Sequence, residues 1–157
     1  MRTVRMPILS LVLVLTSCPK PGPLSAADVF ADRAGAPAAD RKPLLLLIEA
    51  GGRRPPPPSV VFDDGSTDFN RTLSPRALKD LKNAIAESHW ETLGKKEKAY
   101  CDSWADGRDE AYGLPQKNGD RVFKPCDTAF APEDALLKLV RTIRTARTVQ
   151  EAPAATP

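Results

Sequence analysis

Apolar and polar positions divide the chain into short strand-like runs and two longer helix-like runs. The run 44–48 is continuously apolar and stops at Gly51-Gly52, which predicts a buried strand because it is too short for a core helix. Residues 59–62 and those after Asp64-Gly65 predict a hairpin, since Asp-Gly supplies the positive backbone dihedrals of a tight turn. Three more strands are predicted over 99–104, 110–115 and 121–126, separated by Asp106-Gly107 and Asn118-Gly119.

Two helices follow from apolar residues spaced three and four apart. Ser74-Pro75 predicts the start of the first helix, because serine caps a helix and proline is allowed in its first turn. Trp90 is expected to close this helix against the core. The second helix is predicted to begin at Pro132 with acidic residues in its first turn. The apolar faces are Leu78, Leu81 and Ile85 in the first helix and Leu136, Leu137, Val140 and Ile143 in the second.

The order of these elements predicts one α+β domain over residues 43–147. Three strands and a helix, followed again by three strands and a helix, favour an antiparallel sheet of about five or six short strands with both helices on one face. The flanking segments are rich in proline and alanine. Residues 18–42 are therefore predicted to be a flexible tether, and residues 148–157 a disordered tail.

Residues 1–17 have the three parts of an export signal. Arg2 and Arg5 form a positive start, the run 6–15 is apolar, and Thr16-Ser17 provide small residues at the exit. The run is shorter than the roughly 20 apolar residues of a membrane-spanning helix. The pattern predicts a signal peptide and an exported protein.

The end of this segment, Leu15-Thr16-Ser17-Cys18, resembles the lipobox of bacterial lipoproteins. The resemblance implies cleavage before Cys18 and a diacylglycerol anchor, with palmitate-type fatty acids, on its thiol. We therefore expect a lipid-anchored protein of the cell envelope, at the bacterial cell membrane or outer membrane. Ordinary secretion, with cleavage near Ser25-Ala26-Ala27 and no anchor, is the alternative.

Most of the net charge belongs to the export signal. The chain has 23 basic and 20 acidic residues, and removing residues 1–17 leaves 21 basic residues against 20 acidic ones. A nearly neutral chain has no overall field that attracts nucleic acid or an anionic membrane. The expected partners are the membrane, through the lipid on Cys18, and an envelope or secreted protein. No nucleic acid is expected, and the oligomeric state stays open.

Apart from Cys18, the cysteines are Cys101 and Cys126. Two thiols in an oxidising compartment usually pair, so we predict a disulfide between them. Both residues fall on predicted strands that are not neighbours in a simple meander, so the segment around Cys101 would have to bend off the sheet. A metal site or a catalytic cysteine would need ligands or a base beyond the single histidine, His89. We expect no metal, no cofactor and no catalytic residue.

Two clusters of carboxylates have a functional and a structural interpretation. Calcium binding or acid–base chemistry would use such groups, but the spacing of an EF-hand loop is missing, and Asp and Gly are the residues that tight turns favour. We favour turns in both places. The clusters are Asp63, Asp64 and Asp68 in the first loop, and Asp102, Asp106, Asp109 and Glu110 in the second.

The last predicted helix carries a basic stripe. Its residues recur every three positions, which suits either a phosphate-rich partner or a solvated helix face near the C-terminal end of the helix dipole. We favour the solvated face. The stripe consists of Lys138, Arg141, Arg144 and Arg147.

The segment after the first strand is a candidate binding loop. Four consecutive prolines enforce an extended polyproline conformation, which acts as a stiff connection or as a preorganised recognition loop with two arginine contacts. We favour the stiff connection. The loop consists of Arg53, Arg54, Pro55, Pro56, Pro57 and Pro58.

Over residues 43–146 the chain resembles the small emfourin-type bacterial proteins, whose known member inhibits a thermolysin-like metalloprotease. The resemblance rests on the runs 44–52, 78–81, 112–114 and 136–143. It implies a small non-catalytic domain that binds a protein, with protease inhibition as one form of that function. The anchor, the cysteine pair and the Arg-Pro loop depart from the pattern, so no inhibitory residue is carried over. A structural envelope lipoprotein without a discrete ligand is the alternative, and an enzyme of unfamiliar type is the third.

Overall fold

The described part of the chain is an antiparallel sheet with two α-helices and two short 3₁₀ turns. The computed structural model describes residues 22–32, 38–50, 56–98, 101 and 109–151. The predicted signal peptide and Cys18 lie outside these ranges. The strands are β1 (Pro43–Ala50), β2 (Ser59–Phe62), β3 (Asp109–Leu114) and β4 (Arg121–Phe123), the helices α1 (Pro75–Glu87) and α2 (Ala135–Glu151), and the 3₁₀ turns Ala26–Asp28 and Trp90–Thr92.

The strands are arranged in the order β2-β1-β3-β4, and every neighbouring pair is antiparallel. Leu46 in the central strand β1 lies opposite Val60 on one side and Gly113 on the other. Strand β1 therefore pairs along both of its edges and contains the apolar run 44–48. The α+β class and the antiparallel sheet are confirmed.

The described sheet has four strands, fewer than the five or six predicted. The predicted strand after Gly65 is reduced to isolated β-bridges, Val61 with Thr67 and Ser66 with Thr72. The chain turns back along the free edge of β2 there and does not extend into a strand. Of the predicted strand 99–104 only Cys101 lies in the described residues, and it is not in a strand. Strand β4 stops at Phe123, since a turn brings the amides of Asp127 and Thr128 back to the carbonyl of Lys124.

One face of the sheet and both helices enclose a single core. Alternate strand residues point to this inner face, and the helices cover them with their own apolar residues. Tyr112 is the largest of the fully buried side chains. The core includes Leu45, Leu47, Val61, Tyr112, Leu114 and Phe123 from the strands, Ala77, Leu81 and Ala84 from α1, and Leu136, Leu139, Val140, Ile143 and Ala146 from α2.

Helix α1 begins as predicted, whereas α2 is shifted. The Ser74 side chain accepts a hydrogen bond from the Ala77 amide at 3.2 Å, which is the expected N-cap. Helix α2 starts at Ala135 and not at Pro132, because the Asp134 carboxylate caps it by accepting from the Leu137 amide at 2.8 Å. The helix continues to Glu151, so the described residues after 147 are helical.

Residues 22–32 differ most from the prediction, which assigned them to a flexible tether. Val29 and Phe30 are 0 % and 6 % exposed and belong to the core. Backbone bonds of 2.8 Å join Ala31 to Thr72 and Ser74 to Val29, so the segment runs against the chain that enters α1. Two neighbouring apolar residues among prolines and alanines show no helical or strand periodicity, which is why sequence pattern did not place them in the domain.

Candidate functional site

The sheet face turned away from the helices is formed by apolar side chains. We call it the outer sheet face. Strand alternation and pairing place its residues side by side, with Ile48 opposite Ala111 and Val122 opposite Gly113. None of its residues belongs to the core that the helices cover. The outer sheet face consists of Leu46, Ile48, Val60, Phe62, Ala111 and Val122.

This composition is unusual for the second face of an antiparallel sheet. Such a face normally carries polar side chains when the other face packs on the core. Val122 is 49 % exposed, Leu46, Ile48, Val60 and Phe62 are partly buried, and Ala111 is 0 % exposed. Apolar side chains that no helix covers and that partly reach solvent, with Val122 the most exposed of them, are candidates for an interaction site.

Two residues shape this face. Gly113 lets Leu46 lie close to β3, since a Cβ on the glycine would be 3.1 Å from the Leu46 Cδ1 atom. At the margin, the Arg41 guanidinium stacks over the Phe62 ring at 3.9 Å and donates to the Ser66 hydroxyl at 3.1 Å. The face therefore combines an apolar centre with an arginine–aromatic pair at its rim.

The predicted binding loop is only partly described. Arg53, Arg54 and Pro55 lie outside the described residues. Pro56, Pro57 and Pro58 are exposed, have no regular secondary structure, and lead directly into β2. The stiff connection favoured from the sequence stays a prediction.

Cys101 and Cys126 are joined by a disulfide, with Cα atoms 5.2 Å apart. Cys126 lies in the turn after β4, and Cys101 lies outside any strand. Neither cysteine occupies a paired strand, so the geometric difficulty expected for a meander does not arise. The bond ties the segment before β3 to the chain that leaves β4.

The carboxylates of the first acidic loop accept hydrogen bonds from the backbone. Asp64 accepts from the amides of Ser66 and Ala38, at 2.8 and 2.9 Å, and from the Ser66 hydroxyl at 2.6 Å. These bonds, the Ser66 hydroxyl first, lower the pKa of Asp64 to about 2. Asp63 accepts from the Lys42 amide and Asp68 from the Val60 amide, both at 2.9 Å. Asp64 thus builds a turn with Ser66, as favoured from the sequence, while Asp63, Asp64 and Asp68 also bind backbone amides of more distant segments.

In the second acidic cluster, Glu110 is paired with Arg141, whose Nε donates to it at 2.8 Å. Asp102 and Asp106 lie outside the described residues, and the side chain of Asp109 is not described. In the ranges that the structure describes, no three His, Cys, Asp or Glu side chains form a group that could hold a metal ion.

Three of the four residues of the basic stripe bind strand residues, and Arg141 does so through its pair with Glu110 of β3. Arg144 donates to the carbonyl oxygens of Ile48 and Ala111, at 2.6 and 3.1 Å, and burial lowers its pKa. Arg147 donates to the Ser59 hydroxyl at 2.6 Å and lies 5.1 Å from the centre of the Phe69 ring. The solvated face favoured from the sequence is wrong for these two arginines, because α2 directs them towards the strands.

His89 and Tyr112 are the remaining side chains considered for a chemical role. His89 is exposed, with a left-handed φ of 45°, and its carbonyl accepts from the Thr92 amide at 2.9 Å. The Tyr112 hydroxyl is buried with no hydrogen-bond partner in the described part of the chain, and burial raises its pKa. Tyr112 therefore remains a neutral phenol of the core.

The helical layer has two recesses that the sequence did not predict. A cavity of about 280 Å³ lies between α1 and α2, and the N-terminal segment borders it with Pro23 and Leu24. A second recess, of about 330 Å³, lies on α1. The only sequence signal for the second was the pair of lysines three positions apart, Lys79 and Lys82. The described residues that line it are Pro75, Leu78, Lys79, Lys82 and Asn83.

Comparisons of the chain with protein-family models, with curated proteins and with solved structures find no significant match. Among the described residues, no helix combines the length and hydrophobicity that crossing a membrane requires.

Proposed function

We propose that this protein is a lipid-anchored component of the bacterial cell envelope whose small, non-catalytic domain binds another protein through the outer sheet face. The observation that carries the proposal is the apolar character of that face, with Val122 at 49 % exposure in its edge strand. The anchor is the lipid on Cys18 that the lipobox resemblance implies.

The shape and composition of the face favour a protein as the partner. Small ligands are usually held in concave pockets, whereas the outer sheet face is built from neighbouring strands of one sheet. Protein interfaces have an apolar centre depleted in charge and are enriched in arginine and aromatic residues. Arg41 stacked on Phe62 supplies such a pair beside the apolar centre.

Protease inhibition is the concrete form that the emfourin resemblance gives to this proposal. A structural envelope lipoprotein with no discrete ligand is the competing function. Catalysis has less support, because Asp64, Glu110 and Arg144 make hydrogen bonds that hold the fold together.

The anchor is tested by replacing Cys18 with serine. In cells fed an alkyne-bearing palmitate analogue, we expect the wild-type protein to be labelled and to sediment with membranes, and Cys18→Ser to lose the label. Mass spectrometry of the N-terminal peptide checks the site of attachment. Equal labelling of both forms, or a wild-type N-terminus free of acyl groups, would eliminate the anchor.

The binding surface is tested by crosslinking on isolated membranes. Val122→Asp places a charge on the outer sheet face, and we expect it to reduce recovery of the partner at least ten-fold, since burying an unpaired carboxylate in an interface costs more than about 1.4 kcal/mol. Val149→Asp is the matched control, because Val149 is 65 % exposed and lies on α2.

Quantitative mass spectrometry of crosslinked material compares the two variants, and thermal unfolding verifies that both remain folded. A partner recovered equally well with Val122→Asp would remove the outer sheet face from the interface. Crosslinking that enriches no protein over background with the wild type would favour the structural alternative. A recovered protease would then be assayed for inhibition by the purified domain.

A further inference from the structure

The N-terminal end of the described chain lies beside the helical layer. The carbonyl of Gly22 accepts a hydrogen bond from Arg76 of α1, and Leu24 lines the cavity between the two helices. Four residue steps separate Gly22 from Cys18, and they span at most about 14 Å even when fully extended. A lipid on Cys18 therefore holds the helical layer near the bilayer surface.

The face of α1 beside this attachment carries two lysines with no partner in the described part of the chain. Lys79 and Lys82 are exposed and line the recess of about 330 Å³ together with Asn83. The helical period of 3.6 residues places both lysines away from the buried residues of α1, and Lys79 lies one turn after Arg76, which donates to Gly22.

The acidic side chains of this region either form ion pairs with other residues or lie at the end of the helix. Asp80 pairs with Arg76 at 3.7 Å, and Glu133 before α2 pairs with Lys138. Glu87 is in the last turn of α1. The lysine face thus has positive charge available for a partner, although the mature chain as a whole is nearly neutral.

We infer that the outward face of α1 is a membrane-contact surface on which Lys79 and Lys82 bind the phosphate groups of anionic phospholipids. The inference rests on the proposed function, because it requires the lipid on Cys18. A lysine at an anionic surface contributes about five-fold in binding, which is weak alone but effective once the anchor keeps the lysines at the surface. This orientation directs the outer sheet face away from the bilayer, where a protein partner can reach it.

The test is lysine acetylation of the purified, lipidated protein in vesicles of phosphatidylglycerol and phosphatidylethanolamine, in vesicles of phosphatidylcholine, and in detergent micelles. We expect acetylation of Lys79 and Lys82 to be at least five-fold slower in the phosphatidylglycerol vesicles than in micelles. Lys117, exposed in the turn between β3 and β4, is the internal control and should react at the same rate throughout. High salt should abolish the protection, since it screens lysine–phosphate attraction.

A double variant separates binding by these lysines from shielding by the anchor alone. With Lys79→Gln and Lys82→Gln, we expect the phosphatidylglycerol-dependent protection of Lys138, which lines the neighbouring cavity, to disappear. Lys117→Gln should retain it. Equal acetylation of Lys79 and Lys82 in all three settings, or protection unchanged by salt, would overturn the inference. An N-terminal peptide that carries no acyl group would instead overturn the proposed function and the inference together.

Discussion

Replacing Phe30 with alanine is expected to lower the free energy of unfolding by about 3–5 kcal/mol, the range typical of removing a buried phenylalanine. Phe30 is 6 % exposed and packs edge-to-face on Phe69, with ring centroids 5.9 Å apart. Its truncation leaves a cavity between the N-terminal segment and the chain that enters α1. Urea unfolding followed by circular dichroism measures the change.

Val149→Ala is the control for this substitution, because Val149 is 65 % exposed and its truncation should change stability by less than about 0.5 kcal/mol. If Phe30→Ala is as stable as Val149→Ala, residues 22–32 are a tether and not part of the domain. That result would also lengthen the connection to Cys18 and remove the basis for placing α1 at the membrane.

Removing the disulfide is also expected to lower the stability of the domain strongly. With Cys101 and Cys126 both replaced by alanine, we expect the free energy of unfolding to fall by about 3 kcal/mol. The reason is that the bond closes a loop over a sequence separation of 25 residues in the unfolded chain. The domain that remains should have a lower urea midpoint.

Reduction of the wild type provides an independent check on the disulfide. Reductant should lower the wild-type urea midpoint to that of the double variant and leave the double variant itself unchanged. Cys18→Ser should respond to reductant as the wild type does. A wild-type midpoint that does not respond to reductant, with two thiols available for alkylation in the native protein, would contradict the disulfide.

Local sequence signals predicted most of the regular elements. The apolar run in β1 was recognisable because both of its faces are apolar, and Ser74-Pro75 identified the start of α1 because capping depends on neighbours within one turn. Asn118-Gly119 also lies in a turn as predicted, but in a longer loop between β3 and β4, in which Gly119, with a φ of 112°, donates to the Gln116 carbonyl at 3.3 Å. These features depend on interactions between residues close in sequence.

Features that depend on distant contacts were not predictable. The position of Val29 and Phe30 in the core follows from a surface formed by residues more than 40 positions later, around Leu73 and Ser74. Arg144 belongs to a regular basic stripe in the sequence, but its guanidinium donates hydrogen bonds to backbone carbonyls of β1 and β3. A helical pattern identifies residues that share a face and does not identify what that face contacts.

The candidate site shows the same division. Every apolar residue of the outer sheet face belonged to a predicted strand, but a continuous apolar run such as 44–48 predicts burial on both faces. Only the packing of α1 and α2 on one side shows that no helix covers the other side. The lysines on α1 gain their significance from the placement of Gly22 beside Arg76.

The sequence by itself determined the fold class, the two helices, the core strand β1 and the prediction of a lipid on Cys18, because these depend on periodicity, caps and short motifs. Tertiary structure decided that the N-terminal segment packs into the core and that three of the four basic-stripe residues bind the sheet. It also decided that one sheet face is apolar without a helix over it. These outcomes depend on contacts between segments that are far apart in the sequence. Local sequence patterns do not specify such contacts.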